Sequence, residues 1–202
     1  MRLFYSPGAC SLASHIVLRE TKADFSLVRV NTATHRLEDG SDFYALTPKG
    51  QVPLLETDAG DRISEGPIVM QHIADQMQAS ELLPPVGTLA RIRVLEWCNH
   101  LTSEIHKSFT PIFHGHVDAA STQTLKQLLK TKLAFLDAQL ASQPYLGGSQ
   151  FSIADAYLFV LLSWTSPIKL DISDLAQLRA FQARVAARPA VREAMRVEGL
   201  LG

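Results

Sequence analysis

Residues 2–30 read RLFYSPGACSLASHIVLRETKADFSLVRV, and the hydrophobic periodicity of this stretch changes twice. The apolar run at 2–5 predicts a buried strand, and the alternation with β-branched residues at 25–30 predicts a second strand. Between them, residues 10–21 carry apolar side chains at helical spacing. Because a helical crossover joins parallel strands, the sequence predicts a βαβ unit whose two strands are parallel.

The next fifty residues add a short helix, a hairpin and a second helix. Residues 42–46 predict the short helix, and PLLET (53–57) with RIS (62–64) predict a β-hairpin around a glycine-containing turn. Residues 66–77 predict an amphipathic helix. We therefore expect an α/β domain of order βαβ-α-ββα around a mixed four-stranded sheet.

The remainder of the chain predicts helices only. Pro84, Pro85 and Gly87 exclude a continuous helix through QASELLPPVGT, residues 78–88. FSIADAYLFVLLSW, residues 151–164, is almost wholly apolar and predicts a helix buried on every side, opened by a Ser-x-x-Asp capping box. The other predicted helices span 88–109, 124–142, 175–187 and 190–197. The predicted organisation is a domain at 1–80, a linker at 81–87 and an all-helical domain at 88–202.

Composition restricts the function classes. The chain has 202 residues, of which 47% are hydrophobic and 19% charged, with a net charge of −1. A near-neutral charge argues against nucleic acid as a partner, and no apolar run is long enough to predict a membrane span. MRLFYSPGAC does not have the pattern of a signal peptide, and two cysteines predict no disulfide framework. These features together predict a cytoplasmic protein.

Cys10 stands where the first helix begins. The helix macrodipole and the unpaired N–H groups there favour a thiolate, which predicts a pKa below the ordinary value of about 8.5. The alternative is a small buried packing residue, since cysteine is among the most buried residue types. No second cysteine lies within three residues, so any thiol exchange requires an external thiol.

Two loops could bind a ligand. The main chain of Val52, in Gln51-Val52-Pro53, could pair with an extended peptide, or the loop could simply lead into a strand. At Glu65-Gly66, helix-terminal N–H groups could hold a carboxylate while Glu65 holds an ammonium group. The alternative is a helix start with a favourably placed acid. Together the two charges suit the zwitterionic end of an amino acid.

The long helix predicted at 88–109 places Asn99, Ser103 and His106 at neighbouring positions of one face. The alternative is that the polar residues and Lys107 are solvated and that His106 is packed among apolar neighbours. The seven histidines are scattered, so no metal site is predicted. His114 and His116 are assigned no role.

Four segments, YSPGACS, KGQVPLLE, ISEGPIVMQHIAD and FSIADAYLFVLLSW, resemble motifs of the cytosolic glutathione transferases in order and spacing. PGACS together with EIHKSFTP resembles the bacterial beta class. The resemblance covers essentially the whole chain. It implies a thioredoxin-like N-terminal domain, an all-α C-terminal domain and a homodimer. It also implies glutathione as co-substrate, with no permanently bound cofactor.

The resemblance also implies site residues. Cys10 would face the glutathione sulfur and act with His106. Val52, beside a cis Pro53, would pair with the cysteinyl backbone, and Glu65 with the Gly66 amide would hold the γ-glutamyl end. The other glutathione contacts would be Ala9, His35, Gln51 and Lys107. The second subunit would reach into the site with Asn99, Ser103, Glu104 and His106. We expect an apolar electrophile site between the domains, lined by Tyr5, Phe109, Phe113 and Trp164, although the strand position of Tyr5 favours its burial.

Two positions depart from the family pattern. Gly66 stands where many members have serine, and His35 stands where a lysine often meets the glycyl carboxylate. A neutral imidazole holds a carboxylate less well than an ammonium group does. We therefore predict a high KM for glutathione that falls as pH drops and His35 becomes charged.

The predicted reaction is attack of the glutathione thiolate on an electrophilic carbon. Thiol transfer through a mixed disulfide between Cys10 and glutathione is an open second route. One alternative is a non-catalytic glutathione-binding or stress-regulatory protein on the same fold. Another is a specialised glutathione-dependent enzyme, such as a dehalogenase.

Overall fold

The computed structural model of the chain describes residues 1–115 and 117–201 and contains two compact units. The sheet unit is Met1–Leu83 together with Ala187–Gly202, and the helical unit is Pro84–Ala186. The strands are β1 (Arg2–Tyr5), β2 (Ser26–Asn31), β3 (Arg36–Leu37), β4 (Leu54–Glu56) and β5 (Arg62–Ser64). The helices are α1 (Ser11–Glu20), α2 (Gly66–Gln76), α3 (Leu89–His100), α4 (Lys107–His114), α5 (Ala119–Gln139), α6 (Ile153–Ser163), α7 (Ala176–Ala186) and α8 (Pro189–Val197). A 3-10 turn spans Phe43–Ala45, and a π-helical segment, Leu101–His106, joins α3 to α4.

The sheet is mixed, with strand order β3-β2-β1-β4-β5. β1 and β2 are parallel, which confirms the predicted βαβ unit, and β4 and β5 form the predicted antiparallel hairpin. The prediction of four strands is wrong by one, because Arg36–Leu37 pairs antiparallel with the end of β2. A strand of two residues is too short to give a periodic signal.

The core of the sheet unit lies against β1. Phe4, Val30, Phe43 and Leu54 form one buried cluster, in which the rings of Phe4 and Phe43 are 5.9 Å apart. α1 packs against both α2 and α8. The end of β1 and the start of α1 are therefore fixed by buried packing on both sides of the turn that joins them.

The helical unit contains the buried helix α6, all of whose residues except Ser163 are buried. Its predicted capping box is confirmed: Asp155 accepts from the Ser152 N–H at 2.9 Å and from the Leu146 N–H at 2.8 Å. Burial raises the pKa of Asp155 to about 6, and these donors partly offset the effect. The interaction fixes the start of α6.

The helix predicted at 88–109 is interrupted in the structure. Between α3 and α4 the main chain adopts π geometry over six residues. There the Thr102 hydroxyl donates to the Cys98 carbonyl at 2.9 Å, in competition with the main-chain ladder. Hydrophobic spacing does not separate π from α geometry over so short a segment, and π segments are common at functional sites.

Candidate active site

The turn between β1 and α1 carries Cys10 and is held by Ser11. The Ser11 hydroxyl accepts from the Ser6 N–H at 3.2 Å and donates to the Ser6 carbonyl at 3.3 Å. The Ala9 N–H donates to the same carbonyl at 3.0 Å. Gly8 has a φ of 70°, a conformation that favours glycine. These contacts fix Cys10 at the N-cap of α1.

The Cys10 thiol donates a hydrogen bond to the Val52 carbonyl across 3.2 Å. Burial raises its pKa to about 11, although the N–H groups of Cys10 and Ser11 act to lower it and Glu65 raises it slightly further. The predicted lowering of the Cys10 pKa is therefore wrong, because desolvation outweighs the helix terminus. At neutral pH Cys10 is a protonated thiol.

The loop before β4 presents its main chain beside Cys10. The Val52–Pro53 bond is cis, as the resemblance implies. Pro53 is buried, Val52 is partly exposed and Gln51 is exposed. Cys10 thus contacts the same residue that is expected to pair with a peptide ligand.

His35 packs on this loop through Gly50. Its Nδ1 lies 3.0 Å from the Gly50 carbonyl, and its ring centroid is 4.5 Å from that of Tyr44. A Cβ at Gly50 would approach Tyr44 Cε1 to 2.5 Å, so this close approach requires glycine. Because Nδ1 donates to the carbonyl, Nε2 is the ring nitrogen left for a ligand.

Glu65 lies at the N-cap of α2 in a strained backbone conformation, with φ of 71°. Lys49 Nζ contacts its carboxylate at 2.5 Å, and both side chains are more than half exposed. Gly66 begins α2, and an added Cβ there would meet only Pro53 Cγ, at 3.9 Å. The structure therefore leaves room for a side chain at residue 66.

A buried polar network connects the Cys10 turn to the end of the chain. Glu198 is fully buried through its side chain, with Oε1 2.9 Å from Nδ1 of His15. Its Oε2 accepts the Gly8 N–H at 2.9 Å. Arg19 Nε donates to His15 Nε2 at 3.2 Å, so the ring proton of His15 lies on Nδ1 and points to Glu198.

The helical unit brings His106 together with three of the four predicted electrophile contacts. The Trp164 ring lies 4.9 Å from the ring of His106, 5.5 Å from that of Phe109 and 5.7 Å from that of Phe113. Phe109 is fully buried, whereas Phe113 is 47% exposed. His106 Nδ1 is 2.6 Å from the Tyr157 hydroxyl. Burial, and then Lys107, lowers the pKa of His106 to about 4, so its ring is neutral at pH 7.

Four other predicted glutathione contacts lie on the same run of helix. Asn99, Ser103 and Lys107 are exposed. Glu104 pairs with Lys132 at 3.0 Å, and Lys132 holds the pKa of this carboxyl below its usual range. The assignment of Asn99, Ser103, Glu104 and His106 to a neighbouring subunit stays a prediction.

Tyr5 ends β1 and is 9% exposed, which confirms its predicted burial. Burial raises the pKa of its phenol, and Glu198 adds to the effect. Its role as an electrophile contact stays a prediction.

A groove of about 570 Å³ lies beside the carboxyl ends of β1 and β2. Its lining includes Ser6, Arg29 and Arg36, but none of the predicted site residues.

In the part of the chain that the structure describes, no three His, Cys, Asp or Glu side chains are placed to hold a metal ion. Over those same residues no helix combines the length and the apolar character needed to span a bilayer. His116 lies outside the described residues.

Three residues that contact the predicted site residues carry no predicted role. Lys49 stands in KGQVP, directly before the predicted loop. Tyr157 has a recognisable signal, because a hydroxyl on a buried and largely apolar helix needs a hydrogen-bond partner. Glu198 carried none, since its partners are Gly8 and His15, more than 180 residues away.

Two family models match the chain: the glutathione S-transferase N-terminal domain over residues 1–75 and the C-terminal domain over residues 117–196. The chain is 44% identical to glutathione S-transferase GstA of Escherichia coli O157:H7, over 99% of this chain and 100% of that protein.

Solved structures agree with these matches. A sphingomonad glutathione S-transferase complexed with glutathione superposes with a TM-score of 0.95 at 43% identity, covering 100% of both chains. A bacterial beta class glutathione S-transferase of Sphingomonas chungbukensis gives a TM-score of 0.96 at 42% identity, again over 100% of both chains. The protein belongs to the glutathione S-transferase family, and the predicted fold class, a thioredoxin-like domain with a helical domain, is confirmed.

Proposed function

We propose that this protein joins the sulfur of glutathione to an electrophilic carbon of a small apolar molecule. The observation that carries the proposal is the contact of the Cys10 thiol with Val52, the residue expected to hold the cysteinyl backbone of glutathione. The names of its relatives support the reaction class. The reaction forms a carbon–sulfur bond, and the leaving group departs with the bonding electron pair.

The glutathione site that we propose uses both charge and main chain. Val52 would pair with the cysteinyl backbone, and Glu65 with the Gly66 amide would bind the γ-glutamyl end. His35 Nε2 would face the glycyl carboxylate. Ala9 and Gln51 would complete the site within this chain. Because Lys49 already contacts Glu65, the ammonium group of glutathione would either displace Lys49 or share the Glu65 carboxylate with it.

The role that we propose for Cys10 is that of a hydrogen-bond donor to the glutathione thiolate. A protonated thiol can donate to a neighbouring thiolate, whereas two adjacent thiolates would raise each other's pKa. The second route is exchange: Cys10 attacks glutathione disulfide, one glutathione leaves as thiolate, and a mixed disulfide remains. The raised pKa of Cys10 favours the donor role.

Two substitutions separate these roles. Cys10→Ser keeps an O–H donor and loses the disulfide chemistry, whereas Cys10→Ala loses both. Conjugation of chlorodinitrobenzene should survive better in the serine variant than in the alanine variant. Equal loss in both, with a glutathione adduct on intact wild-type protein that reductant removes, would support the exchange route instead.

The electrophile site that we propose is the aromatic cluster of Phe109, Phe113 and Trp164, with Tyr5 as a further contact. A panel of aryl and alkyl halides would identify the preferred electrophile and test the dehalogenase alternative. If no electrophile reacts while glutathione still binds, the non-catalytic alternative gains support.

We further propose a homodimer in the cytoplasm, in which Asn99, Ser103, Glu104 and His106 of one copy approach the glutathione site of the other. Large exposed apolar side chains on α3 and α5 support an interface there: Leu89, Ile92, Leu128 and Phe135 are each at least 47% exposed. Sedimentation should give twice the chain mass of 22.2 kDa. Phe135→Glu should shift the sedimentation mass from that of two chains towards that of one chain.

A further inference from the structure

Tyr157 presents its hydroxyl to His106 from inside the apolar helix α6. It is 2% exposed, and its oxygen lies 2.6 Å from His106 Nδ1. The two rings meet edge to face at 79°, with centroids 5.9 Å apart. Trp164 packs on the same imidazole at 66°. The ring plane of His106 is therefore fixed by two aromatic neighbours, and one of its nitrogens is fixed by a hydroxyl.

The direction of this hydrogen bond decides what His106 can do. A neutral imidazole carries one proton, so one nitrogen donates and the other accepts. The separation of 2.6 Å is below the range of about 2.7–3.2 Å found for N–H···O bonds, which favours a phenolic O–H as donor. A phenol is also a much stronger acid than the N–H of neutral imidazole. With Nδ1 accepting, the ring proton lies on Nε2.

We propose that Tyr157 is a positioning residue that holds His106 in the Nε2–H tautomer, so that in the proposed reaction His106 offers a hydrogen-bond donor at Nε2 and does not act as a base. This inference rests on the proposed function for its catalytic part and on the Tyr157 contact for its structural part. In this arrangement Nε2 is the ring nitrogen that does not contact the Tyr157 hydroxyl. The burial that keeps the ring neutral supports the same conclusion.

The structural part is tested on the wild-type protein alone. Long-range proton–nitrogen NMR on protein with 15N-labelled histidine distinguishes a protonated Nε2 from a protonated Nδ1. We expect the His106 pattern to show the proton on Nε2 near pH 7. A proton on Nδ1, or a protonated ring, overturns the proposal whatever the activity is.

The catalytic part is tested with Tyr157→Phe, which keeps the ring and removes only the hydroxyl. We expect kcat for conjugation to fall about twofold, because an imidazole shared equally between its two tautomers carries the Nε2 proton in only about half of the molecules, while KM for glutathione stays unchanged. The NMR pattern of His106 should change to a tautomer mixture. Tyr145→Phe is the matched control, since Tyr145 contacts Phe151 and Phe181 and is bonded through its main chain.

The outcomes separate the two proposals. If wild-type protein conjugates no electrophile, the proposed function fails, and the NMR experiment still decides the tautomer. If Tyr157→Phe retains wild-type kcat and an unchanged His106 pattern, the inference fails while the proposed function stands. A fall in kcat matched by Tyr145→Phe also overturns it, because the effect would then be one of general stability.

Discussion

The Cys10 thiol and the Val52 carbonyl are joined by a hydrogen bond of 3.2 Å. The thiol can donate only while it is protonated, so the contact and the pKa of about 11 describe the same state of the residue. A cysteinyl backbone that pairs with Val52 would approach a protonated sulfur. The chemistry of this site therefore begins from a neutral cysteine.

Alkylation of the unliganded protein should show this neutral state. With a pKa of about 11, only roughly one Cys10 in three thousand is ionised at pH 7.5. We expect the iodoacetamide rate to rise about tenfold per pH unit between about pH 7 and 10. Cys10→Ser reports the contribution of Cys98, whose pKa burial raises to about 12. A midpoint near pH 8.5 would contradict the prediction.

Removal of Glu198 should destabilise the protein strongly. Glu198→Ala leaves the Gly8 N–H and the Nδ1–H of the buried His15 ring without this partner, and each lost buried hydrogen bond costs about 1–3 kcal/mol. Urea unfolding measures the loss. Glu193→Ala, which removes an exposed partner of Arg196, should leave the unfolding midpoint nearly unchanged, because solvent screens a surface ion pair. Equal midpoints for the two variants would show that the network contributes little.

The stability of the wild-type protein should fall in acid because of His106. Its folded pKa is about 4, below the ordinary value of about 6.5, so the unfolded chain binds the proton more readily. The stabilisation is present above about pH 6.5 and is lost as pH falls to about 4. It amounts to about 3 kcal/mol relative to His106→Gln, which does not titrate. The difference in unfolding free energy between wild type and variant, measured at several pH values, checks the sign.

A serine at residue 66 should improve glutathione binding. The position has room for a Cβ, with Pro53 Cγ at 3.9 Å, and the hydroxyl would sit at the helix start expected to hold the γ-glutamyl carboxylate. We expect Gly66→Ser to lower KM for glutathione about threefold without changing kcat. Gly66→Ala adds the carbon without the hydroxyl and serves as control. The idea fails if serine and alanine behave alike.

Much of the sheet unit follows from local sequence. The strand at residues 2–5, the crossover helix and the hairpin are each specified by periodicity and turn residues within about ten positions, and all three were predicted. β3 was missed because two residues carry no period. α5 begins at Ala119, whereas the sequence predicts a start at residue 124. Asp118 caps the helix there by accepting a hydrogen bond from the Ser121 N–H at 2.8 Å.

The candidate site was predictable by residue type but not by protonation state. Cys10 could be singled out from its helix start, yet its desolvation depends on the surrounding fold, including the loop at Val52. The protonation state of His106 was not predictable either, because it depends on burial of the ring, and the hydrogen-bond partner Tyr157 is 51 residues away. Local patterns identify groups that can react, whereas burial and distant partners set how they ionise.

The place of α8 in the sheet unit has a consequence for synthesis on the ribosome. Arg188 pairs with Glu20, and Glu198 holds His15 and the Gly8 N–H, so the earliest helix depends on the latest one. At about 5–20 residues per second, α8 emerges roughly 10 s or more after α1. A nascent chain that has been synthesised only to residue 187 therefore contains the whole helical unit but lacks the Glu198 carboxylate that accepts the Gly8 N–H in the Cys10 turn.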